Sequence, residues 1–218
     1  MKIVVAVDWS DQDLTGLNQA LQIYRPTEVT LVHAIDISLY FEQGAAVEHE
    51  TERGAQLLDR AAAMVPADVK TVRKINESGN PAQLILDYAY NTAANLVVVG
   101  TRGRGRLAGA FLGSVSDRVV LHATRSTMVV KGEARKIQRV LVAVEGSEDA
   151  DRIAQWLTKH PFKDAAELCI FTAVVPIEAK KTTGDETGTR ALLEGADRKA
   201  EELVKTTASK LSISPYTV

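Results

Sequence analysis

Short runs of β-branched residues alternate with longer amphipathic segments along this chain. The run at residues 96–99, Leu-Val-Val-Val, has no polar position and is typical of a strand covered on both faces. The segment after the first such run instead places Leu14, Leu17 and Leu21 on one helical face. Strands that alternate with helices require right-handed crossovers, which give a parallel sheet with helices on both faces. The sequence therefore predicts a doubly wound α/β fold.

The alternation predicts five strands and four helices in the first part of the chain. The strands are expected at residues 3–7, 29–34, 69–75, 96–99 and 127–130. The helices are expected at residues 10–24, 50–64, 81–90 and 114–122, with a polar stretch at 36–48 before the second of them. Pro26 and Pro66 end the first two helices because proline cannot continue a helix. Asn80 and Pro81 form an N-cap and first-turn pair for the third helix.

A loop rich in glycine and arginine follows the fourth predicted strand. It reads Gly-Thr-Arg-Gly-Arg-Gly-Arg at residues 100–106, and Gly113 precedes a helix for which Ser114 is the expected N-cap. Glycines let the backbone approach a ligand closely, and the free N–H groups and dipole at a helix N-terminus attract anions. We interpret the loop as a nucleotide-phosphate site. The alternative is a solvated loop whose glycines only make turns.

Two familiar phosphate-binding motifs are excluded. The chain has no Gly-Lys-Ser or Gly-Lys-Thr, so the loop is not a P-loop. Residues 103–108 fit the dinucleotide pattern Gly-x-Gly-x-x-Ala, but that pattern belongs after the first strand of a fold, and here it follows the fourth. We regard this second match as a coincidence.

The spacing of Gly100, Gly103, Gly113 and Ser114 resembles the nucleotide-binding signature of the universal stress protein (UspA) family. Matching segments elsewhere in the first 131 residues are 4–8, 31–34, 79–82 and 126–130. The resemblance implies a five-stranded sheet in the order 3-2-1-4-5 and a bound adenine nucleotide, ATP or AMP, with or without Mg²⁺. It also implies a regulatory protein of the stress response.

The resemblance assigns roles to individual residues. Asp8 is expected to contact the ribose or base, although an acid at this point can also simply cap the next helix. Ala34 is expected at the adenine edge, and Arg102 and Arg104 are the arginines expected nearest the phosphates. The expected nucleotide-binding residues are Val7, Asp8, Ala34, Gly100, Arg102, Gly103, Arg104, Gly113, Ser114, Val115 and Ser116. The bland alternative for the two serines is a helix-capping role alone.

The second part of the chain repeats the beginning of the first. Residues 2–10 align with 139–147, and residues 31–34 align with 170–173, a period of about 137 residues. The repeat lacks a counterpart of the glycine loop, and Glu145 stands where the first copy has Asp8. We therefore predict a universal stress protein domain at residues 1–133 and a partial or degenerate second copy at 138–218.

Composition and residue spacing reduce the range of possible functions further. A net charge of −2 gives no overall electrostatic reason to bind nucleic acid or a membrane. The single cysteine excludes an intramolecular disulfide, and the four histidines have no metal-ligand spacing, so we predict no metal site. No apolar run approaches the ~18 residues needed to span a bilayer. We expect a cytoplasmic protein.

The sequence contains no recognisable set of catalytic groups. Nothing resembles a nucleophile with its base or a pair of catalytic carboxylates, so we predict a non-catalytic nucleotide-binding regulator. Two alternatives stay open: a slow ATP-hydrolysing or adenylyl-transfer enzyme, and an interaction module that carries no nucleotide. Family resemblance also implies a homodimer formed by antiparallel pairing of the edge strand at residues 127–130, whose exposed edge is otherwise unprotected.

Overall fold

The computed structural model describes residues 1–9, 14–36, 44–101, 112–174, 186–213 and 215–218, without the side chains of 44–46 and 186–193. The chain forms two compact units, Met1–Lys136 and Ile137–Val218. Each unit has its own parallel sheet and its own apolar core.

The first unit contains a five-stranded parallel sheet. Its strands are β1 (Lys2–Ala6), β2 (Glu28–Ile35), β3 (Thr71–Ser78), β4 (Leu96–Gly100) and β5 (Ser126–Val130). They lie in the order β3-β2-β1-β4-β5, which confirms the predicted topology. The central strand β1 pairs with β2 from Lys2 to Ala6 and with β4 from Ile3 to Val5. Its side chains are covered on both faces, as the β-branched pattern requires.

Helices cover both faces of this sheet. They are α1 (Thr15–Ile23), α2 (Gly44–Ala63), α3 (Pro81–Asn91) and α4 (Ser114–His122). The face that carries Val4 and Val97 packs against α3 and α4, with Ile85 and Val119 in the same cluster. The opposite face lies under α1 and α2, where Gly16 is close enough that a β-carbon would contact Val98.

Three predicted boundaries were wrong. The second helix begins at Gly44, inside the stretch expected to be a polar loop, because Ala, Val and Glu in that stretch continue the helix and Glu50 becomes buried. The third strand covers Thr71–Ser78 instead of 69–75, since its register pairs it with all eight residues of β2. The first helix begins at Thr15, and residues 10–13 lie outside the described residues.

The second unit contains a smaller parallel sheet. Its elements are β6 (Arg139–Ala143), α5 (Ser147–Lys159), β7 (Ala166–Phe171), α6 (Glu186–Leu211) and β8 (Tyr216–Thr217), with the strands in the order β6-β7-β8. Leu157, Leu168 and Leu211 form the centre of its core. Tyr216 closes the core, where its hydroxyl oxygen accepts the Phe162 N–H at 3.0 Å, and burial raises the pKa of Tyr216.

Candidate functional site

The carboxyl ends of β1, β2 and β4 lie at the same edge of the first sheet because these strands are parallel neighbours. Open α/β sheets bind ligands at this edge, where loops leave the strands. Residues 7–9, 34–36 and 100–101 therefore surround the edge together with the N-terminus of α4, which follows β4 in the chain.

Backbone and side-chain hydrogen bonds fix the end of β1. The Val7 N–H donates to the Val32 carbonyl at 2.9 Å, which extends the ladder beyond the strand. The Val7 carbonyl lies 2.9 Å from Nδ1 of His33, a histidine that is only 2% exposed. Asp8 is half-buried and directly follows Val7, so the hydrogen bonds of Val7 fix the backbone at Asp8.

Trp9 contacts helix α2 at the beginning of the next loop. The Arg53 guanidinium lies 4.8 Å from the centre of the indole ring, and that of Arg60 lies 5.8 Å away, which are cation–π distances. Arg53 also forms an ion pair with the buried Glu50 at 2.8 Å. The indole Nε1 is buried and has no hydrogen-bond partner among the described residues. These contacts position the chain immediately after Asp8.

Helix α2 approaches the ends of β2 and β3 unusually closely at Gly54. A β-carbon there would lie 2.4 Å from Oδ1 of Asn76 and 2.5 Å from Cδ2 of His33. The Asn76 amide nitrogen donates to the Thr51 carbonyl at 2.8 Å, which places Oδ1 toward Gly54. Only glycine therefore allows this packing. The same packing holds the His33 ring in place next to the Val7 carbonyl.

The two ends of the glycine loop are joined by hydrogen bonds. The Thr101 N–H donates to the Val130 carbonyl at 3.0 Å, and the Gly113 N–H donates to the Thr101 carbonyl at 2.7 Å. The buried Ser116 hydroxyl donates to the Gly100 carbonyl at 2.5 Å. These bonds hold the N-terminus of α4 against the end of β4.

The N-cap of α4 is Gly113, not Ser114 as the sequence suggested. The Gly113 carbonyl accepts the first helical hydrogen bond, from the Asp117 N–H at 2.9 Å, so Ser114 is already the first helical residue. The N–H groups of Ser114, Val115 and Ser116 consequently have no acceptor within the helix. Together with the helix dipole they form a concentrated donor for an anion.

The glycines and serines around the loop differ in backbone conformation and in hydrogen bonding. Gly100 lies in a strand and Gly113 has φ −74°, so neither position requires the conformational freedom of glycine. Ser116 uses its hydroxyl proton on Gly100, which leaves its N–H for an anion, whereas the Ser114 side chain is exposed.

The remaining predicted residues divide into two groups. Ala34 lies half-buried near the end of β2, on the same edge as Asp8. Arg102, Gly103 and Arg104 lie outside the described residues. No group of three or more potential metal ligands occurs within the described ranges, and no described helix is long and apolar enough to cross a bilayer.

Trp9, His33 and Gly54 are site-forming residues that sequence reasoning did not assign. The signal for Trp9 was its position next to Asp8, and the signal for Gly54 was a glycine inside a helical pattern, which usually has a packing reason. No local sequence pattern indicates the contact of His33 with Val7, because the two residues are 26 positions apart.

Comparison with known proteins identifies the family. The sequence model of the universal stress protein family matches residues 1–131. The chain belongs to the universal stress protein family. A universal stress protein of Methanocaldococcus jannaschii is 31% identical over 143 residues, which cover 60% of this family member and 81% of the relative. One from Mycobacterium tuberculosis is 30% identical over 168 residues, covering 69% of this chain. The alignment spans only 52% of that longer relative.

A solved universal stress protein from Archaeoglobus fulgidus has the same fold over most of this family member. The two align with a TM-score of 0.62 and 20% identity, covering 90% of this chain and 73% of the other. At this identity the likeness establishes the fold alone. Its coverage extends beyond the residues that the family model matches.

Proposed function

We propose that this chain is a non-catalytic regulatory protein of the stress response that binds an adenine nucleotide at the carboxyl edge of its five-stranded sheet. The observation that carries the proposal is the set of hydrogen bonds joining Gly100 and Thr101 to Gly113 and Ser116. They fix the free N–H groups of α4 beside the strand end, where the helix dipole adds positive potential. A phosphate group is the ligand that this arrangement suits.

The nucleoside would occupy the other part of the same edge. Asp8 offers a carboxylate for ribose or base hydroxyl and amino groups, and Ala34 is small enough to leave space beside β2. From the glycine loop after β4, Arg102 and Arg104 would neutralise the outer phosphates, while Gly103 in that loop and Val115 in α4 would give backbone contacts. ATP with Mg²⁺ and AMP both fit this description. Loss of Asp8 should weaken both equally, whereas loss of Arg104 should weaken ATP more.

The second unit would be a partial copy of the first, in a tandem arrangement. Its strand order β6-β7-β8 repeats β1-β2-β3, and α5 and α6 follow β6 and β7 as α1 and α2 follow β1 and β2. In the first unit, β5 lies at the edge of the sheet, which supports homodimer formation through residues 127–130. We propose this assembly for a cytoplasmic protein.

The decisive experiment is calorimetric titration of ATP and AMP into the native chain and two glycine variants. Gly113→Val adds a bulky side chain at the N-cap of α4 and should reduce affinity at least tenfold. Gly146→Val is the matched control, since Gly146 is the N-cap of α5 and a β-carbon there meets nothing within 4 Å. Gly146→Val should leave affinity unchanged. Unchanged affinity in Gly113→Val would refute the phosphate assignment.

Two further measurements distinguish the alternatives. Mass spectrometry of small molecules released by heat from the purified protein should detect an adenine nucleotide; its absence, with no binding in calorimetry, would favour a nucleotide-free interaction module. ATP turnover is expected at the same background level in the native chain and in Gly113→Val. Turnover that disappears in the variant would instead identify an enzyme.

A further inference from the structure

Among the described residues, helices cover only one face of the sheet in the second unit. Val142 and Leu168 point into the core formed with α5 and α6. The alternate residues of the same strands form the opposite face, where Leu141 is 65% exposed and Phe171 is 49% exposed. This exposed face consists of Arg139, Leu141 and Ala143 on β6 and Glu167, Cys169 and Phe171 on β7.

The first unit covers the centre of the corresponding face. In the repeat alignment Leu141 corresponds to Val4 and Phe171 to Val32, which are 0% and 1% exposed. There α3 and α4 pack on these valines, but no described helix covers their counterparts in the second unit. Large apolar side chains grouped in this way mark an interaction surface more often than scattered ones do.

The register of the two strands makes this face complementary to itself. Arg139 is paired with Glu167, Leu141 with Cys169, and Ala143 with Phe171. Each pair therefore combines opposite charges or a large side chain with a smaller one. Neither Arg139 nor Glu167 forms an ion pair with a described residue, so both charges are available to a second copy.

One orientation of two copies uses all three pairs. A two-fold axis parallel to the strands, between β6 and β7, lays β6 of one copy over β7 of the other. Arg139 then meets the partner's Glu167, Leu141 meets its Cys169, and Phe171 covers its Ala143. A two-fold axis across the strands would instead place the charged residues opposite Ala143 and Phe171. Desolvating charges against apolar groups disfavours that orientation.

We propose that the exposed face of β6 and β7 is a self-association surface that pairs two copies of this chain sheet to sheet. The same patch serves both copies, as a two-fold interface requires. Sheets stacked in this way lie about 10 Å apart with strands crossing near −30°. The five paired residues of each strand present only about a few hundred Å², less than the roughly 800 Å² per partner of a stable interface. Association is therefore weak and depends on concentration.

Charge reversal in sedimentation-velocity experiments between about 5 and 200 μM tests the surface. Arg139→Glu and Glu167→Arg should each raise the dissociation constant of one association step at least tenfold, because like charges then meet across the interface. The double variant, which exchanges the charges, should return that constant to within about threefold of the native value. Lys199→Glu reverses an exposed charge on α6 and should have no effect.

The variants also separate this surface from pairing through β5. An association step that Arg139→Glu leaves unchanged does not use the β6–β7 face. The proposal is overturned if the native chain shows no step that either single variant weakens, or if the double variant is as weak as the singles. Circular dichroism should be native-like in all of these variants, since both residues are exposed.

Discussion

Replacing Gly54 by alanine tests the packing that supports the candidate site. In an exposed helix interior this substitution stabilises a protein by about 1 kcal/mol, because alanine has the higher helix propensity. Here the new β-carbon would lie 2.4 Å from Asn76 Oδ1 and 2.5 Å from His33 Cδ2. Both neighbours are anchored, Asn76 through its amide to the Thr51 carbonyl and His33 through Nδ1 to the Val7 carbonyl. Neither can move without losing a hydrogen bond.

The magnitudes decide the sign of the effect. Overpacking of this kind costs about 1–3 kcal/mol, and a lost hydrogen bond costs a further 0.5–1.5 kcal/mol or so. These costs exceed the propensity gain, so Gly54→Ala should lower the free energy of unfolding of the first unit by about 1–3 kcal/mol. Gly195→Ala is the matched control in α6, where a β-carbon meets nothing within 4 Å. It should raise the stability of the second unit by about 0.5–1 kcal/mol.

Urea unfolding followed by tryptophan fluorescence measures the two units separately. The chain has two tryptophans, Trp9 in the first unit and Trp156 in the second, so Trp156→Phe and Trp9→Phe backgrounds each report one unit. If Gly54→Ala proves as stable as the native chain, or gains stability as Gly195→Ala should, the close approach of α2 to β2 and β3 is not real. Under the proposed function, Gly54→Ala should also weaken ATP binding, because His33 supports the strand end before Asp8.

Two further predictions concern single side chains. Ser116→Ala leaves the Gly100 carbonyl without its hydroxyl donor and should destabilise the first unit by about 1–3 kcal/mol; Ser114→Ala, at an exposed position, should change urea stability much less, and equal losses would contradict the assigned roles. Burial is the main cause that lowers the pKa of His160 from its usual 6.5. Because the unfolded chain then binds the proton more readily, the second unit should keep its full stability above about pH 6.5 and lose part of it as pH falls below that value. In a His160→Gln variant, the free energy of unfolding of the second unit, measured by Trp156 fluorescence, should depend less on pH.

The helix cap at Asn80 could be predicted from a short sequence pattern, and the sheet order could be predicted through the family resemblance. The strand order came from the family resemblance, and the structure confirms it. Asn80 accepts the Gln83 N–H at 3.1 Å and Pro81 occupies the first turn, as the residue pair indicated. The cap depends on neighbouring residues alone, whereas the strand order followed from a motif that the family shares.

The missed features depend on contacts between distant segments. Ser114 has the better N-cap side chain, but the hydrogen bond from the Gly113 N–H to Thr101 fixes Gly113 in the cap position. The fit of Gly54 against Asn76 requires the register between β2 and β3 to be known first. Strand β3 likewise ends later than its sequence pattern predicts, because it pairs with all eight residues of β2. No local pattern contains this information.

The N-termini of α4 and α5 differ in charge, and this difference bears on our proposal that α4 alone binds a phosphate. Both begin after a glycine N-cap, but α5 has Glu148 and Asp149 in its first turn and follows Glu145. These carboxylates already complement the α5 dipole and would repel an anion. In α4 the first turn contains Asp117 alone among acidic residues, and the chain before it is rich in arginine. A glycine N-cap alone would therefore not make a phosphate site. We expect Gly146→Val to leave nucleotide binding unchanged because of the acidic charges at α5 as well as its position.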